Sequence, residues 1–301
     1  MLVHRFPKPH KPKRVILIGG AGFIGQALAE RLERDHIAVH SLGRAQINLL
    51  APDAAARLRQ VVQAGDSVVM IAAKAPAKTS QLLSDNIQMA QAVCLGLAGI
   101  DIAHFLYISS DAVYADDARP VTEQSARAPS TLHGAMHLAR EIMFEASIAA
   151  PKAFLRPTLI YGPGDPHNGY GPNRFAREAK AGGPVQYFGE GEEKRDHIFI
   201  GDVAELGALI LCHQSTGALN AATGIVTSFG DIARMIARKA GVEAKSIPRP
   251  GPRPHLLHRF FDVTQCHRVF PEFNFSGKEV LDLLLSHNGN LNTKVEGRRH
   301  D

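Results

Sequence analysis

Two rhythms of apolar and polar positions alternate along the chain. Short β-prone apolar runs at 15–18, 37–42, 67–71, 105–108 and 153–155 predict strands. Between them, apolar side chains return at helical spacing from Phe23 onward, over 52–62, over 82–97 and over 132–148. Strands alternating with helices of this length predict a parallel sheet covered on both faces. The fold class is therefore α/β, a Rossmann-type doubly wound parallel sheet over residues 14–160. From 161 to 288 the pattern loosens into a smaller C-terminal substrate-binding region, with helices expected near 173–181, 202–213, 229–240 and 277–285. Residues 1–13 and 289–301 read as flexible tails.

The stretch from Arg14 to Gly25 carries the first chemical signal. An apolar strand runs into Gly19, Gly22 and Gly25, and a helix then opens with Phe23 and Ile24. A strand, a glycine turn and a helix start are what a dinucleotide pyrophosphate needs. One glycine makes the sharp turn, one lets the backbone approach the phosphates, and one lets helix and strand lie close. The amides of the helix start face the anion. The second strand ends without a carboxylate, at Gly43 followed by Arg44. An acid there would accept bonds from the adenosine ribose, whereas an arginine welcomes a 2′-phosphate, so NADP is expected over NAD.

Charge and composition narrow the partners. The chain has 301 residues and a net charge of +5. Arg5, Lys8, Lys11, Lys13 and Arg14 carry that whole excess in a stretch without an acid. The folded body is near neutral, which argues against nucleic acid as a partner. No apolar run approaches the ~20 residues of a membrane helix, and no secretory leader is visible. The three cysteines, Cys94, Cys212 and Cys266, stand far apart in apolar surroundings, as in a reduced cytoplasmic protein.

With these blocks in view, the chain resembles the extended short-chain dehydrogenase/reductases of the nucleotide-sugar epimerase/dehydratase group, from about residue 14 to 285. The matching blocks are the glycine turn, Asn48-Leu49 at the adenine, Ile71-Ala72-Ala73 after the third strand and Asn86 in the next helix. They continue with Ser109-Ser110-Asp111 through Tyr114, Leu155 through Tyr161 to Pro163, and Gly189 to Asp202. The resemblance implies hydride transfer at a nicotinamide, a nucleotide-sugar substrate and a homodimer built on the helices at 82–98 and 132–149. It places Ser110 on the reacting oxygen and Asp111 where dehydratases keep an acid. Tyr161, Arg195 and Arg259 fall on the substrate side, and Asp202 is expected to cap a helix.

The catalytic motif departs from the family. Tyrosine and lysine four residues apart are replaced by His133 and His137, with Gly134 and Glu141 holding the register. Leu159 also replaces an asparagine offered to the substrate. Imidazole takes a proton near neutrality without a lysine to help it, so His133 is expected as the acid/base, with His137 on the cofactor ribose or polarising its neighbour. Two other readings stay open: a dinucleotide-binding sensor or assembly protein without hydride chemistry, and ordinary helix histidines with Asp111 or the loop at 162–173 active. A metal between the histidines lacks a third ligand at a recognisable spacing.

Overall fold

The computed structural model describes residues 1–117, 119–251, 258–277 and 284–285. The helix expected at 277–285, apart from its ends, and the tail 289–301 lie outside them. The chain forms two compact units. Among the described residues, the first comprises Met1–Ile160, Lys194–Val226 and 258–275, and the second Tyr161–Glu193, 227–251, 276–277 and 284–285. The expected boundary at 160/161 is thus where the chain first leaves the larger unit, and two later segments return to it.

The chain runs β1 (Val15–Ile18), α1 (Phe23–Arg34), β2 (Val39–Leu42), α2 (Ala54–Val61), β3 (Ser67–Met70), α3 (Ser80–Leu97), β4 (His104–Ile108), α4 (Leu132–Ser147) and β5 (Lys152–Pro157). It continues with β6 (Leu159–Tyr161), α5 (Pro172–Lys180), β7 (Val185–Phe188), β8 (Lys194–Phe199), α6 (Ile200–His213) and β9 (Gly217–Ala221). Last come β10 (Val226–Ser228), α7 (Phe229–Ala240), β11 (Ala244–Ile247) and α8 (Thr264–Val269). No described helix is long and apolar enough to cross a membrane.

The larger unit is built on six strands, all parallel, in the order β2-β1-β3-β4-β5-β9. Every residue of β1, β3 and β4 is buried, as expected of strands covered on both faces. Their alternation decides which core each side chain joins. Val15, Leu17, Val69 and Leu106 pack with Leu28 and Leu32 of α1 and Leu206 and Ile210 of α6. Ile16, Val68, Met70, Phe105 and Tyr107 point the other way, to Leu58 of α2, Val93 and Leu97 of α3 and Phe144 of α4. In the smaller unit α5 and α7 share a core of Phe175, Phe229, Ile232 and Ile236, and β11 pairs in parallel with β7.

The N-terminal residues are not a loose tail. Val3 exchanges both backbone bonds with Thr216, at 2.9 and 2.8 Å, and the amides of Phe6 and His10 bond to the carbonyls of His213 and Cys212. Leu2 is fully buried, and the His4 ring stacks on His213 while bonding to Ser215 Oγ and the Val269 carbonyl. The basic side chains Arg5, Lys8, Lys11 and Lys13 point outward. The charge excess is real, but it decorates a segment anchored by its backbone and by its alternate residues.

Candidate active site

The sheet order reverses between β2 and β3 around β1, and the glycine turn stands at that switch point, where open parallel sheets bind ligands. Gly19 adopts φ +99°, and a Cβ there would lie 2.6 Å from the Ala72 amide nitrogen. A Cβ on Gly25 would lie 2.4 Å from the Gly19 carbonyl oxygen. Helix α1 starts at Gly22 with no side-chain cap and no acid in its first turn, so its opening amides are left to an anion. Phe23 and Ile24 begin that helix half-buried. The residues present therefore fit a dinucleotide.

The far side of the cradle is the loop after β3. The Ala72 amide donates to the Ile18 carbonyl at 2.8 Å. Asn86 is fully buried and latches the loop, its Oδ1 taking the Lys74 amide at 2.9 Å and its Nδ2 donating to the Lys74 and Leu82 carbonyls. Ala73 lies between these two anchors. Asn48 accepts the Leu50 amide, and Leu49 is buried in the core. Arg44 is exposed in a turn that Gln46 closes by accepting the Gly43 amide.

Helix α4 delivers the two histidines. Thr131 caps it, Oγ1 accepting the Gly134 amide at 3.1 Å. Only glycine fits at 134, because a Cβ would lie 2.0 Å from the Ala112 carbonyl oxygen. The first turn of α4 is thereby pressed onto the short turn carrying Ser110 and Asp111. His133 is half-buried, and its Nδ1 accepts the Ala77 amide at 3.4 Å. The neutral ring then carries its proton on Nε2. His137 is buried, 4.7 Å from His133 between ring centres and edge to face. Its Nδ1 lies 2.7 Å from the Tyr107 hydroxyl. Burial lowers the His133 pKa. Burial, His133 and Arg140 hold that of His137 well below the ordinary imidazole range. Both shifts favour the neutral ring.

Ser110 caps the turn over Asp111–Val113, its Oγ accepting the Ala112 amide and lying 3.4 Å from Asp111 Oδ1. Burial raises the Asp111 pKa, opposed by the guanidinium of Arg259 and by that of Arg195. Arg259 donates from Nη2 to the Asp111 carbonyl at 2.9 Å and from Nη1 to Asp116 at 3.3 Å. Beneath the site lies a buried network. Glu141 takes both prongs of Arg156, at 2.8 and 2.7 Å, and the Ser109 hydroxyl at 2.7 Å. Arg156 also donates to the Tyr114 hydroxyl, which bonds to Asn220.

Of the residues singled out in the sequence, the glycines, Ala72 and Asn86 form one cradle, and Ser110, Asp111 and Arg259 come together. His137 is drawn onto Tyr107 and away from solvent. Arg259 is engaged by two acids of its own unit. Tyr161 is buried at the start of the smaller unit, and Arg195 donates to the Lys194 carbonyl. Asp202 is not a cap: α6 begins at Ile200 after Phe199, which leaves Asp202 buried inside the first turn. Leu159 is 41% exposed.

Sequence reasoning missed Tyr107, the Ala77 amide and Arg140. The last carried a signal, since His133, His137, Arg140 and Phe144 recur at helical spacing on one face. Arg140 is fully buried, yet it makes no ion pair among the described residues. It donates to the Ala72 carbonyl at 2.8 Å and lies 5.0 Å from the centre of the Tyr107 ring.

Comparison with known proteins places these features in context. The model of the NAD dependent epimerase/dehydratase family matches residues 15–222. The UDP-glucose 4-epimerase of Thermus thermophilus, solved with NAD, superposes with a TM-score of 0.77 at 22% identity, covering 91% of this chain and 99% of that one. A UDP-glucuronic acid 4-epimerase from Bacillus cereus, solved with a fluorinated UDP-sugar and NAD, gives 0.76 at 20%, covering 90% and 96%. An NAD dependent NDP-hexosamine 5,6-dehydratase of tunicamycin biosynthesis gives 0.76 at 22%, with the same coverage. These neighbours are NAD proteins, which corrects the expectation of NADP. Arg44, on which that expectation rested, is a solvated charge on a closed turn.

Proposed function

The chain belongs to the NAD dependent epimerase/dehydratase family, and from that membership we propose that it binds NAD and acts on a nucleotide sugar, with His133 in the place of the usual tyrosine. The observation that carries this reading is the glycine turn at Gly19, Gly22 and Gly25, where a Cβ at Gly19 or Gly25 would clash with backbone while one at Gly22 meets only the Gly19 carbonyl at 3.3 Å and leaves its face open. These glycines, with Phe23, Ile24 and the opening amides of α1, hold the pyrophosphate. Asn48 and Leu49 border the adenine, and Ala72, Ala73 and Asn86 flank the ribose. Bound there, NAD supplies a hydride acceptor at its nicotinamide.

The chain's own residues handle the proton. The Ser110 hydroxyl and His133 Nε2 bind the sugar oxygen. For His133 to take a proton at Nε2, its ring proton first moves to Nδ1, which gives up the 3.4 Å contact with the Ala77 amide and leaves the Nε2 lone pair free. That contact is long for a hydrogen bond and cheap to lose. Asp111, kept protonated more readily by burial, is placed to give a proton to a leaving hydroxyl. Arg195 presents a fork of donors suited to a diphosphate. A homodimer through α3 and α4 completes the proposal.

A binding-only protein on the same fold is the second reading. It is favoured by the Ala77 amide that occupies His133 Nδ1. Purified protein with NAD and a panel of nucleotide sugars separates the two. We expect turnover that His133→Ala abolishes while NAD affinity is kept. Turnover that survives His133→Ala overturns the assigned role, and tight NAD uptake without hydride exchange on any sugar supports the binding-only reading.

A further inference from the structure

The feature that the proposed chemistry does not use is Arg140. A fully buried guanidinium ordinarily sits against a carboxylate, because removing the charge from water is costly. Here its Nη2 bonds to the Ala72 carbonyl at 2.8 Å, and its Nη1 lies 3.5 Å from Asn86 Oδ1 and 3.8 Å from Met136 Sδ. Its Nε has no hydrogen-bond partner. The acids nearby are spent elsewhere: Glu141 on Arg156, and Asp85 on Lys74 at 2.5 Å. A permanent positive charge is therefore stored one turn along α4 from His137, against the face of the Tyr107 ring.

We propose that Arg140 is a positioning residue for the His133 acid/base: its fixed charge adds to the burial of His137 in keeping a proton off that ring, so that His133 is the one imidazole of the pair able to change charge. This rests on the reading of His133 given above. Two protonated rings 4.7 Å apart between centres would repel, so a proton on His137 would block His133 from taking one. His137 is the more buried ring and has a hydroxyl on Nδ1, so it accepts a proton only if the surroundings allow. The groups facing it are His133 and Arg140 on its own helix and Tyr107 on β4; across from Arg140, α3 contributes Cys94. The one carboxylate that acts on Tyr107, Glu141, is held by both prongs of Arg156. Burial raises the pKa of both the Tyr107 phenol and the Cys94 thiol. The field at His137 is therefore positive. Tyr107 adds direction, since a phenol donating to Nδ1 leaves the His137 proton on Nε2.

The test uses the full-length protein with isotope-labelled histidines, followed by NMR of the ring nitrogens between about pH 5 and pH 8, where imidazoles ordinarily titrate. It needs neither cofactor nor sugar, so it reads the charge state whether or not turnover is found. His137 is expected to stay neutral throughout, with Nδ1 as its acceptor nitrogen. In Arg140→Met its midpoint rises by about one pH unit or more, roughly tenfold in proton affinity. Arg140→Lys restores the neutral ring. A His137 that stays equally neutral in folded Arg140→Met overturns the proposal. Tyr107→Phe provides the arm that keeps Arg140 in place. There His137 is expected to remain neutral while its tautomers mix, and protonation of His137 in that variant shows that the phenol, not the guanidinium, excludes the proton. The role of His133 itself fails separately, if His133→Ala retains turnover.

Discussion

A tyrosine has to be acidified before it can take a proton at neutral pH, and an imidazole does not. On the proposed role of His133, that difference makes the lysine of the family motif dispensable. It does not explain what the lysine position does instead. His137 has become part of the protein interior, joined to a strand residue thirty positions earlier in the chain. The sequence register made the His133–His137 pair visible, while the Tyr107 contact depends on which face of β4 meets α4. The same holds for Glu141, whose place in the motif was legible but whose partners Arg156, Ser109 and Arg127 were not. Arg156 and Glu141 are both nearly fully buried. Arg156→Leu leaves that carboxylate with the Ser109 hydroxyl and, as its cation, only the weaker, half-exposed Arg127, and should destabilise the fold by about 3–5 kcal/mol. Chemical denaturation checks this. A loss under about 1 kcal/mol would mean that Arg127 replaces the lost partner, on the scale expected of an exposed pair.

Elements were legible wherever burial repeats with the period of the backbone. The buried strands β1, β3 and β4 and the helices α1, α3 and α4 appear within a few residues of their expected limits, because each must hide an apolar face. Caps are subtler. Asp202 reads as a cap by its chemistry, yet the preceding strand runs to Phe199 and α6 starts before the acid is reached. Thr131 is the cap that matters for the site, since it fixes the turn bearing His133. Thr131→Ala should cost about 1 kcal/mol of stability and lower turnover further than that loss explains, measured on the same preparations. The glycine turn gives a graded test. A methyl at Gly25 meets the Gly19 carbonyl at 2.4 Å, whereas one at Gly22 meets it at 3.3 Å. Gly25→Ala should therefore distort the turn and lower stability, whereas Gly22→Ala should keep the fold and weaken NAD in calorimetric titration, and an unchanged affinity in Gly22→Ala would mean that this turn does not hold the pyrophosphate. Strand β4 carries a pH dependence as well. His104 is fully buried on the Ser215 carbonyl, and burial lowers its pKa to about 4. The unfolded chain binds that proton near pH 6.5, so stability due to His104 is present above that value and lost as pH falls towards 4. His104→Gln should flatten this part of the stability curve, by up to about 3 kcal/mol across the window.

At the scale of the molecule, what the sequence hid was the return of the chain. Residues 194–226 and 258–275 read as part of a second region, yet they supply α6, β9 and α8 to the larger unit. The N-terminal segment reads as mobile because its composition is basic, while its anchors at Thr216 and His213 lie two hundred residues away. The same scale decides whether the proposed homodimer is built on α3 and α4. Of the apolar residues on these helices, Leu97 and Met136 belong to the internal core, at 4% and 0% exposure. Leu95 and Ile142 do not, at 57% and 56%. Two large aliphatic side chains left open on adjacent helices are what a helix-to-helix contact between copies would cover. Each would contribute roughly 1.5–3 kcal/mol on full burial. Leu95→Glu combined with Ile142→Glu would place four like charges in such a contact, two from each copy. Sedimentation equilibrium should find the wild type as a dimer and the double variant as a monomer with an unchanged circular dichroism spectrum. A wild type that sediments as a monomer, or a double variant that stays dimeric, removes α3 and α4 as the interface.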